Sequence, residues 1–325
     1  MDSDQIMKNS AVSIIICAKN AAQNIQSNFN HWHAQLQQRD ELIIVDDFSS
    51  DTTHEVANKL CKSSDQNCVV IKASRNIPGK KQALTDAIYT ASNNYILVTD
   101  SDCSPQTHWK AKMLKSIHSS TEFVLGYAPF YEKPGFLNLF QRFECLLTAI
   151  QYYSLAHIGL PYMGVGRNLL FQKSVFDKDI YDLEAGKEVL ASGDDDLLVS
   201  AKATRINTVT NADPQSFVYS QARTTWKSYF SQKVRHISSS VKYSPLIKLL
   251  LSSFSGSQIL SNLLLLPLLF SMYWKIGLFS YLLKISAATL TYKRASTVFH
   301  EEKITIFTPI LDLCLTFYYL ILTLS

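Results

Sequence analysis

The sequence lacks a strong excess of charge of either sign. Its 325 residues contain 31 Lys and Arg against 27 Asp and Glu, which gives a net charge of +4. A protein that binds DNA or RNA usually carries a larger basic excess, because its cations must neutralise phosphates. The composition therefore argues against a nucleic-acid partner.

Cysteine pairs and a secretory leader are missing as well. The six cysteines are scattered and none forms a Cys-x-x-Cys pair. We therefore predict neither a disulfide framework nor a zinc site, and expect a reducing compartment. The segment before Ala11 is polar, and the apolar run Val12–Cys17 is too short for the core of a signal peptide. We expect the part of the chain that follows it to remain in the cytosol.

Glycine-rich nucleotide motifs are also absent. No Gly-x-Gly-x-x-Gly follows the first apolar run, and no Walker sequence occurs anywhere in the chain. Dinucleotide-binding and P-loop chemistry are therefore excluded as the basis of its function.

What the first half does contain is a regular alternation of strand and helix patterns. Five apolar runs have the length of strands: Val12–Cys17, Leu42–Val45, Val69–Ile71, Tyr95–Val98 and Phe123–Leu125. Between them, apolar residues recur at helical spacing, as in Ile25, Phe29, Trp32 and Leu36, and Pro105 is expected to open a later helix. The pattern predicts an α/β fold, with a Rossmann-like, mainly parallel sheet flanked by helices.

Pairs of carboxylates follow two of these predicted strands. Asp46 and Asp47 follow the second strand, and Asp100 and Asp102 follow the fourth. Ligands of open parallel sheets bind at the carboxyl ends of strands, and a hard cation shared with phosphates needs one or two protein carboxylates. Asp-x-Asp also occurs in ordinary polar turns, so its meaning depends on the rest of the chain.

Three further segments each allow a structural and a functional interpretation. The turn at Gly164–Asn168 leads into a strand and could serve backbone geometry alone. The run Asp194–Asp196 could cap a helix or supply a general base. The basic, aromatic segment Thr225–His236 could be a solvated helix face or could attract anionic lipid headgroups.

The last eighty residues are markedly apolar. Three stretches are candidates for membrane spans: Leu249–Tyr273, Ile276–Thr291, which is marginal, and Ile304–Leu324. Lys284 and Asp312 lie within them and are costly in lipid, and because of Lys284 the second stretch could instead lie in the interface. Lys293, Arg294 and Lys303 place the intervening loop in the cytosol. We predict a cytosolic domain over residues 1–244 and a membrane region with two or three spanning helices over 245–325. An amphipathic helix over Phe136–Leu160 could lie in the core or on a membrane surface.

The order of these motifs resembles that of family 2 glycosyltransferases with the GT-A fold. Residues 45–53 resemble Val-Asp-Asp-x-Ser-x-Asp-x-Thr, residues 79–84 resemble Gly-Lys-x-x-Ala-Leu, and residues 100–102 match Asp-x-Asp. Residues 166–168 resemble the Gly-x-Asn acceptor turn, 193–195 the Gly-Asp-Asp motif, and 232–236 Gln-x-x-Arg-Trp with His236 in place of Trp. The resemblance covers roughly residues 12 to 240, and six elements in one order make coincidence improbable.

The resemblance implies a role for each matching residue in an inverting transfer. Asp47 would bind the uracil edge, supported by Asp46, and Lys80 would position the nucleotide. Asp102, helped by Asp100, would hold Mg²⁺ or Mn²⁺ on the diphosphate. Asp195 would be the base, with Asp194 as the runner-up. The remaining matches are Gln232 and Arg235 on the donor side, and Gly166, Asn168 and His236 on the acceptor side.

The resemblance also suggests the kind of acceptor. Processive polysaccharide synthases of this family carry the Trp that His236 replaces, and they tend to have spans before the catalytic domain. We therefore predict transfer to a lipid or lipid-linked hydroxyl by an integral protein of a bacterial-type inner (cytoplasmic) membrane. The alternatives are a processive β-polysaccharide synthase and a non-catalytic, membrane-anchored nucleotide-sugar binder. A transporter is disfavoured, because a large soluble domain would have no role in it.

Overall fold

The computed structural model describes residues 10–74, 79–182 and 194–324. The segment before Ser10, Pro78, and Ser192-Gly193 of the predicted aspartate motif lie outside the described residues.

Seven strands form one mixed sheet in the order β3-β2-β1-β4-β7-β6-β8. Its strands are β1 (Val12–Ala18), β2 (Glu41–Asp46), β3 (Cys68–Lys72), β4 (Tyr95–Asp100), β6 (Phe123–Gly126), β7 (Leu169–Gln172) and β8 (Thr208–Asn211). Four of the six neighbouring pairs are parallel, while β7 runs antiparallel to both β4 and β6. The five predicted strands and the mainly parallel sheet are confirmed.

The chain order within the sheet creates a crevice at the carboxyl ends of its first strands. From β1 the chain moves outward to β2 and β3, and then crosses back to place β4 on the other side of β1. Asp46 on β2 is level with Ala18, and Asp100 on β4 is level with Cys17. Because strand order reverses between β1 and β4, this edge is where an open α/β sheet binds ligands.

Helices cover the sheet because each has an apolar face. They are α1 (Ala22–His33), α2 (Thr53–Lys62), α3 (Lys80–Thr90), α4 (Trp109–Lys115), α5 (Phe136–His157), α6 (Asp179–Asp182) and α7 (Asp194–Lys202). On α1, the buried residues Ile25, Phe29 and Trp32 follow the predicted spacing. Leu36 is buried as well, but it lies beyond the end of that helix.

A second, two-stranded sheet corrects one predicted helix start. Strand β5 (Cys103–Pro105) pairs antiparallel with β9 (Val218–Ser220), and Pro105 lies opposite Val218. Pro105 therefore ends a strand instead of opening a helix, and α4 begins at Trp109. Proline has no N–H to donate to a neighbouring strand, so within sheets it is found at edge strands, where one side of the strand needs no donor.

The prediction that no disulfide forms is wrong at one point. Cys61 at the end of α2 and Cys68 at the start of β3 are bonded, with Cα atoms 5.1 Å apart. A seven-residue separation does not reveal this pair, since proximity arises only when the helix turns back into the strand. The other four cysteines are not disulfide-bonded: Cys17, Cys103, Cys145 and Cys314.

Contacts group the chain into two units. The first comprises residues up to Tyr131 together with Gln151–Gln221, and contains both sheets. The second comprises Glu132–Ile150 and Ala222–Ser325. It contains the first part of α5 and the helices α8 (Trp226–Ile237), α9 (Pro245–Leu269), α10 (Trp274–Phe299) and α11 (Thr308–Leu324). The boundary proposed at residue 244 stays a prediction.

Two stretches of the second unit are long and apolar enough to cross a membrane. Among the described residues these are Pro245–Leu269 and Glu302–Thr323. They coincide with the first and third predicted spans. The marginal second span falls on α10, which does not reach the same hydropathy over the described residues.

Polar side chains of α9, α10 and α11 bond to one another and form a polar cluster. The ammonium of Lys284 lies 2.7 Å from the Asp312 carboxylate. Gln258 donates to the Asp312 carbonyl at 2.8 Å, and Asn262 donates to the Thr316 hydroxyl at 2.8 Å. Lys284, the charge that counted against a full second span, is therefore paired with Asp312 of the third predicted span.

Candidate active site

Asp46 and Asp47 lie where β2 ends, and both are buried. Asp46 accepts a hydrogen bond from the Ser49 amide at 3.1 Å, which fixes the loop that follows. Asp47 is 5% exposed, and its Oδ1 atom has no hydrogen-bond partner within the described part of the chain. A buried acceptor without a partner is costly, so this oxygen is suited to receive an N–H from a ligand.

The electrostatic environment of Asp47 is mixed. Burial raises the pKa of its carboxyl group, and the neighbouring Asp46 raises it further. The Lys19 ammonium, 3.9 Å from Oδ2, acts in the opposite direction. The net result is a pKa above the ordinary value, as expected for a carboxylate with little water and few donors around it.

Two non-glycine residues in the loops after β1 and β2 adopt positive φ. Asn20 has φ 48° and Phe48 has φ 53°. Asn20 links the loops, because its amide N–H donates to the Ser49 hydroxyl at 2.9 Å and its side chain accepts from the Ser50 amide at 2.8 Å. Phe48 is 45% exposed. Phe48 occupies the variable position of the motif at residues 45–53, and a phenylalanine there does not predict a positive φ.

Asp100 and Asp102 meet Cys103 at the end of β4. One possible ligand atom from each of the three lies within 4.8 Å of the other two. Burial raises the pKa of the Cys103 thiol well above its usual value, and Asp102 and Asp100 add to this effect. A neutral thiol is a poor ligand for a hard cation, whereas two carboxylates fit Mg²⁺ or Mn²⁺ shared with a diphosphate.

Lys80 lies against this carboxylate pair. Its ammonium is 2.6 Å from the Asp100 Oδ1 atom. It is the first residue of α3 and follows Gly79, whose φ of 94° favours glycine. The predicted Gly-Lys element therefore delivers a cation to the Asp-x-Asp element.

The acceptor turn is joined to the predicted base. The amide N–H of Gly166 donates to the Asp195 Oδ2 atom. A Cβ atom at position 166 would lie 2.8 Å from that oxygen, so only glycine fits here without a shift. The structure thus brings two predicted site residues into direct contact. Asp194 begins α7, and its side chain lies outside the described atoms.

Asn168 occupies the interior beneath this turn. It is fully buried, donates to the Tyr127 and Ser216 carbonyls at 2.8 Å each, and accepts from the Trp109 indole at 2.8 Å. All its side-chain bonding groups are used by the protein. Its side chain therefore holds the turn in place and has no surface for an acceptor.

Arg167 is a cation that the motif comparison passed over. Its guanidinium donates to the Ser220 hydroxyl and lies 4.7 Å from the centre of the Phe130 ring. Ser220 lies opposite Cys103 in the two-stranded sheet, and Arg167 acts to lower the pKa of that thiol. The side chain thus connects the acceptor turn with β9, the partner of the strand that follows Asp102. In the sequence, the feature that could have identified Arg167 is its position as a basic residue between Gly166 and Asn168.

Gln232, Arg235 and His236 lie on α8 in the second unit. Gln232 accepts from the Arg223 guanidinium at 3.1 Å, while Arg235 and His236 are exposed. Between them, Lys233 lies 2.5 Å from the buried carboxylate of Glu144, so the helix is pinned to α5 within its own unit. The roles of these residues toward a donor or an acceptor stay predictions.

The family model of glycosyl transferase family 2 matches residues 13–177, about half of the chain. The matched range contains both carboxylate pairs, Lys80 and the acceptor turn. It ends before Asp195. No curated protein matches the sequence significantly.

Solved structures resemble the chain over most of its length. A mannosyltransferase from Pyrobaculum calidifontis, solved with GDP-Man and Mn²⁺, has a TM-score of 0.52 and 15% identity, and the match covers 93% of this chain and 86% of that one. A mannosyl-3-phosphoglycerate synthase from Rubrobacter xylanophilus has a TM-score of 0.44 and 13% identity, covering 74% and 77%. The first match shows the predicted fold.

Proposed function

This chain belongs to glycosyl transferase family 2, and we propose that it transfers a sugar with inversion from a nucleotide-diphosphate sugar to a hydroxyl of a lipid or lipid-linked acceptor. Use of a nucleotide sugar follows from the family. The UDP group, the inverting course and the membrane acceptor are our predictions. The observation that carries the donor site is the set of Asp47, Lys80, Asp100 and Asp102 at one edge of the sheet.

We assign the nucleotide to this edge. The unpartnered Oδ1 atom of Asp47 would accept the ring N–H of uracil, and Asp46 would keep the loop in place through Ser49. Lys80, now bonded to Asp100, would be shared with phosphate oxygens. An ammonium between a carboxylate and a diphosphate stabilises the negative charge that develops on the leaving group.

Asp102, helped by Asp100, would hold the divalent cation. When bound, such a cation neutralises the diphosphate and assists its departure. The mannosyltransferase from Pyrobaculum calidifontis was solved with Mn²⁺ and GDP-Man. For this reason the tests below compare Mn²⁺ with Mg²⁺ and include a GDP-sugar beside UDP-sugars.

We assign the general base to Asp195. An alcohol is a weak acid, so its attack on the anomeric carbon requires a positioned proton acceptor. The Gly166 amide donates to the Asp195 Oδ2 atom and so orients this carboxylate, which would accept the proton from the acceptor hydroxyl. Asp194 remains the alternative base.

We propose that the remaining predicted residues assist the transfer. Arg235 and Gln232 would act on the donor side and His236 near the acceptor, as the family resemblance implies. The two apolar stretches Pro245–Leu269 and Glu302–Thr323 support attachment to a membrane, with the catalytic unit in the cytosol. A membrane-bound enzyme of this kind meets lipid acceptors directly.

The test uses membranes that contain the protein, incubated with labelled UDP- and GDP-sugars and with Mn²⁺ or Mg²⁺. Label should enter the organic phase, and EDTA or Asp195→Asn should abolish the transfer. A matched control is Asp177→Asn, because Asp177 is a surface carboxylate paired with Lys202 at 3.1 Å and lies outside the site.

Other outcomes separate the alternatives. Label in high-molecular-weight material would show that the protein synthesises a polymer and does not transfer the sugar to a lipid acceptor. Nucleotide binding without transfer from any donor would favour the non-catalytic binder.

A further inference from the structure

The second unit contains a cavity of about 640 Å³ for which the proposed transfer has no use. Its wall combines charged and apolar side chains from the start of α5 and from the segment that leads into α11. The charged residues are Glu132, Lys133, Arg142 and Lys303, and the apolar ones include Phe136 and Phe307. A cavity with both kinds of lining is suited to a ligand that has a charged end and an apolar end.

The charged part of the wall already holds one oxyanion, the carboxylate of Glu132. It accepts from the Lys303 ammonium at 2.9 and 3.0 Å, and the Arg142 guanidinium lies 3.7 Å away. The Glu132 side chain is half exposed, and ion pairs in such a position contribute little to stability. A phosphate group offers these cations more acceptor oxygens, and so can take the place of the carboxylate.

Lys133 adds a cation that the protein itself does not neutralise. Its side chain is exposed, and its ammonium has no ion-pair partner within the described part of the chain. Arg142 is buried and is bonded to Glu301 behind it, which fixes the guanidinium in the wall. Three cations thus face two carboxylates, and the cavity favours an anion.

The cavity lies at one end of a stretch that is long and apolar enough to cross a membrane. Lys303 and Phe307 belong to the first residues of that stretch, Glu302–Thr323. Phe136 and Phe307 are both exposed, and the Phe136 ring lies 6.3 Å from that of the exposed Trp226. Aromatic and basic side chains at the end of a spanning stretch lie at the level of the lipid headgroups.

We propose that this cavity binds the phosphate headgroup of an anionic membrane lipid. Lys133, Lys303 and Arg142 would contact the phosphate, while the acyl chains would lie along Phe136 and Phe307. Basic pockets beside spanning helices recognise lipid headgroups in this way. The lipid is neither donor nor acceptor, so the proposal does not depend on sugar transfer.

The experiment measures binding of dihexanoyl phosphatidylglycerol and dihexanoyl phosphatidylcholine to the full-length protein in neutral detergent, by titration calorimetry. The anionic lipid should bind more tightly. Lys133→Gln and Lys303→Gln should each lower its affinity about fivefold, the usual effect of one basic residue at a lipid surface. Glu132→Gln should raise it by about the same factor, because the competing anion is removed and Arg142 keeps Glu301.

Two controls separate this site from general attraction. Lys275→Gln removes another exposed lysine beside an aromatic ring, 5.7 Å from that of Trp274, and should leave the affinity unchanged. Glycerophosphoglycerol is the same headgroup without acyl chains. It should bind at least about tenfold more weakly than the lipid, since it buries no apolar surface.

The opposite signs expected for the lysines and for Glu132 make the proposal easy to reject. Unchanged affinity in the double variant Lys133→Gln, Lys303→Gln would overturn it, as would a lower affinity in Glu132→Gln. Equal binding of phosphatidylcholine would show that the cavity does not select an anionic lipid. Equal binding of glycerophosphoglycerol would show that it takes a free phosphate compound. None of these results bears on sugar transfer, which the labelled donors test separately.

Discussion

The carboxylate cluster at the sheet edge of the first unit and the buried ion pairs of the second unit arrange charge in opposite ways. In the first unit, carboxylates of like charge gather at the sheet edge, where the Lys80 ammonium lies 2.6 Å from the Asp100 Oδ1 atom. In the second unit, buried charges form matched pairs. Arg142 bonds to Glu301, Lys233 to Glu144, and Lys284 to Asp312.

This difference separates a site from a scaffold. A cluster of like charges raises the free energy of the folded state, so a protein that keeps one gains from a ligand that neutralises it. In a buried pair of opposite charges each group compensates the other, and removal of one partner leaves an uncompensated buried charge. Substitutions should therefore impair activity in the first unit and stability in the second.

The largest effect is expected at the metal-binding pair. Asp102→Asn should lower kcat about 10³-fold, because it removes a charged ligand of the cation that stabilises the leaving diphosphate. Its Tm without metal should not fall, since a repulsion is removed. Steady-state transfer measures the first effect and thermal unfolding without metal the second, with Asp177→Asn as control. If the Asp102→Asn variant were active, the carboxylate cluster of the first unit would have no role in the mechanism.

Asp195→Asn should lower kcat by about 10²- to 10³-fold, the usual contribution of a general base. Affinity for the nucleotide should stay the same, because the base acts on the acceptor. Asp194→Asn is the matched comparison, and it should retain more activity. If Asp194→Asn were the weaker enzyme, the base would be one residue earlier than we assign it.

The ion pair of the second unit should show its effect in stability. Asp312→Leu should reduce the free energy of unfolding by about 3 kcal/mol, because it strands the Lys284 ammonium among apolar helices. The double variant Lys284→Met, Asp312→Leu should regain much of this loss, because no charge remains unpaired. Unfolding in detergent micelles followed by circular dichroism measures both variants. Equal losses in the single and double variants would show that the pair does not act as a unit.

Local patterns in the sequence were sufficient to predict five strands of the main sheet and the position of two aspartate pairs at strand ends. Apolar runs such as Val12–Cys17 predicted strands. The aspartates that follow such runs were expected at the carboxyl ends of the strands, and Asp100 lies there. The long-range features escaped, because they depend on how distant segments meet. The Cys61–Cys68 bond, the pairing of Lys284 with Asp312 and the burial of Asn168 arise only in the folded chain. Backbone strain at Phe48 is likewise invisible in a residue string.

The smallest effect, and the one that sharpens the comparison most, is expected from Asp47→Asn. Burial raises the pKa of Asp47 in the folded protein above its ordinary value of 3.8. The ionised carboxylate is therefore less stable in the folded state than in the unfolded state, and it destabilises the fold fully once the pH exceeds the folded pKa. At pH 7 the variant should therefore unfold at a Tm a few degrees higher than the original protein. The gain should shrink as pH falls and vanish below 3.8, where Asp47 is protonated in both the folded and the unfolded state. Thermal unfolding between pH 3 and 8 measures this, and UDP affinity at pH 7 should fall at the same time. A variant less stable at pH 7 would place Asp47 with the paired charges of the second unit, as a group kept for the fold.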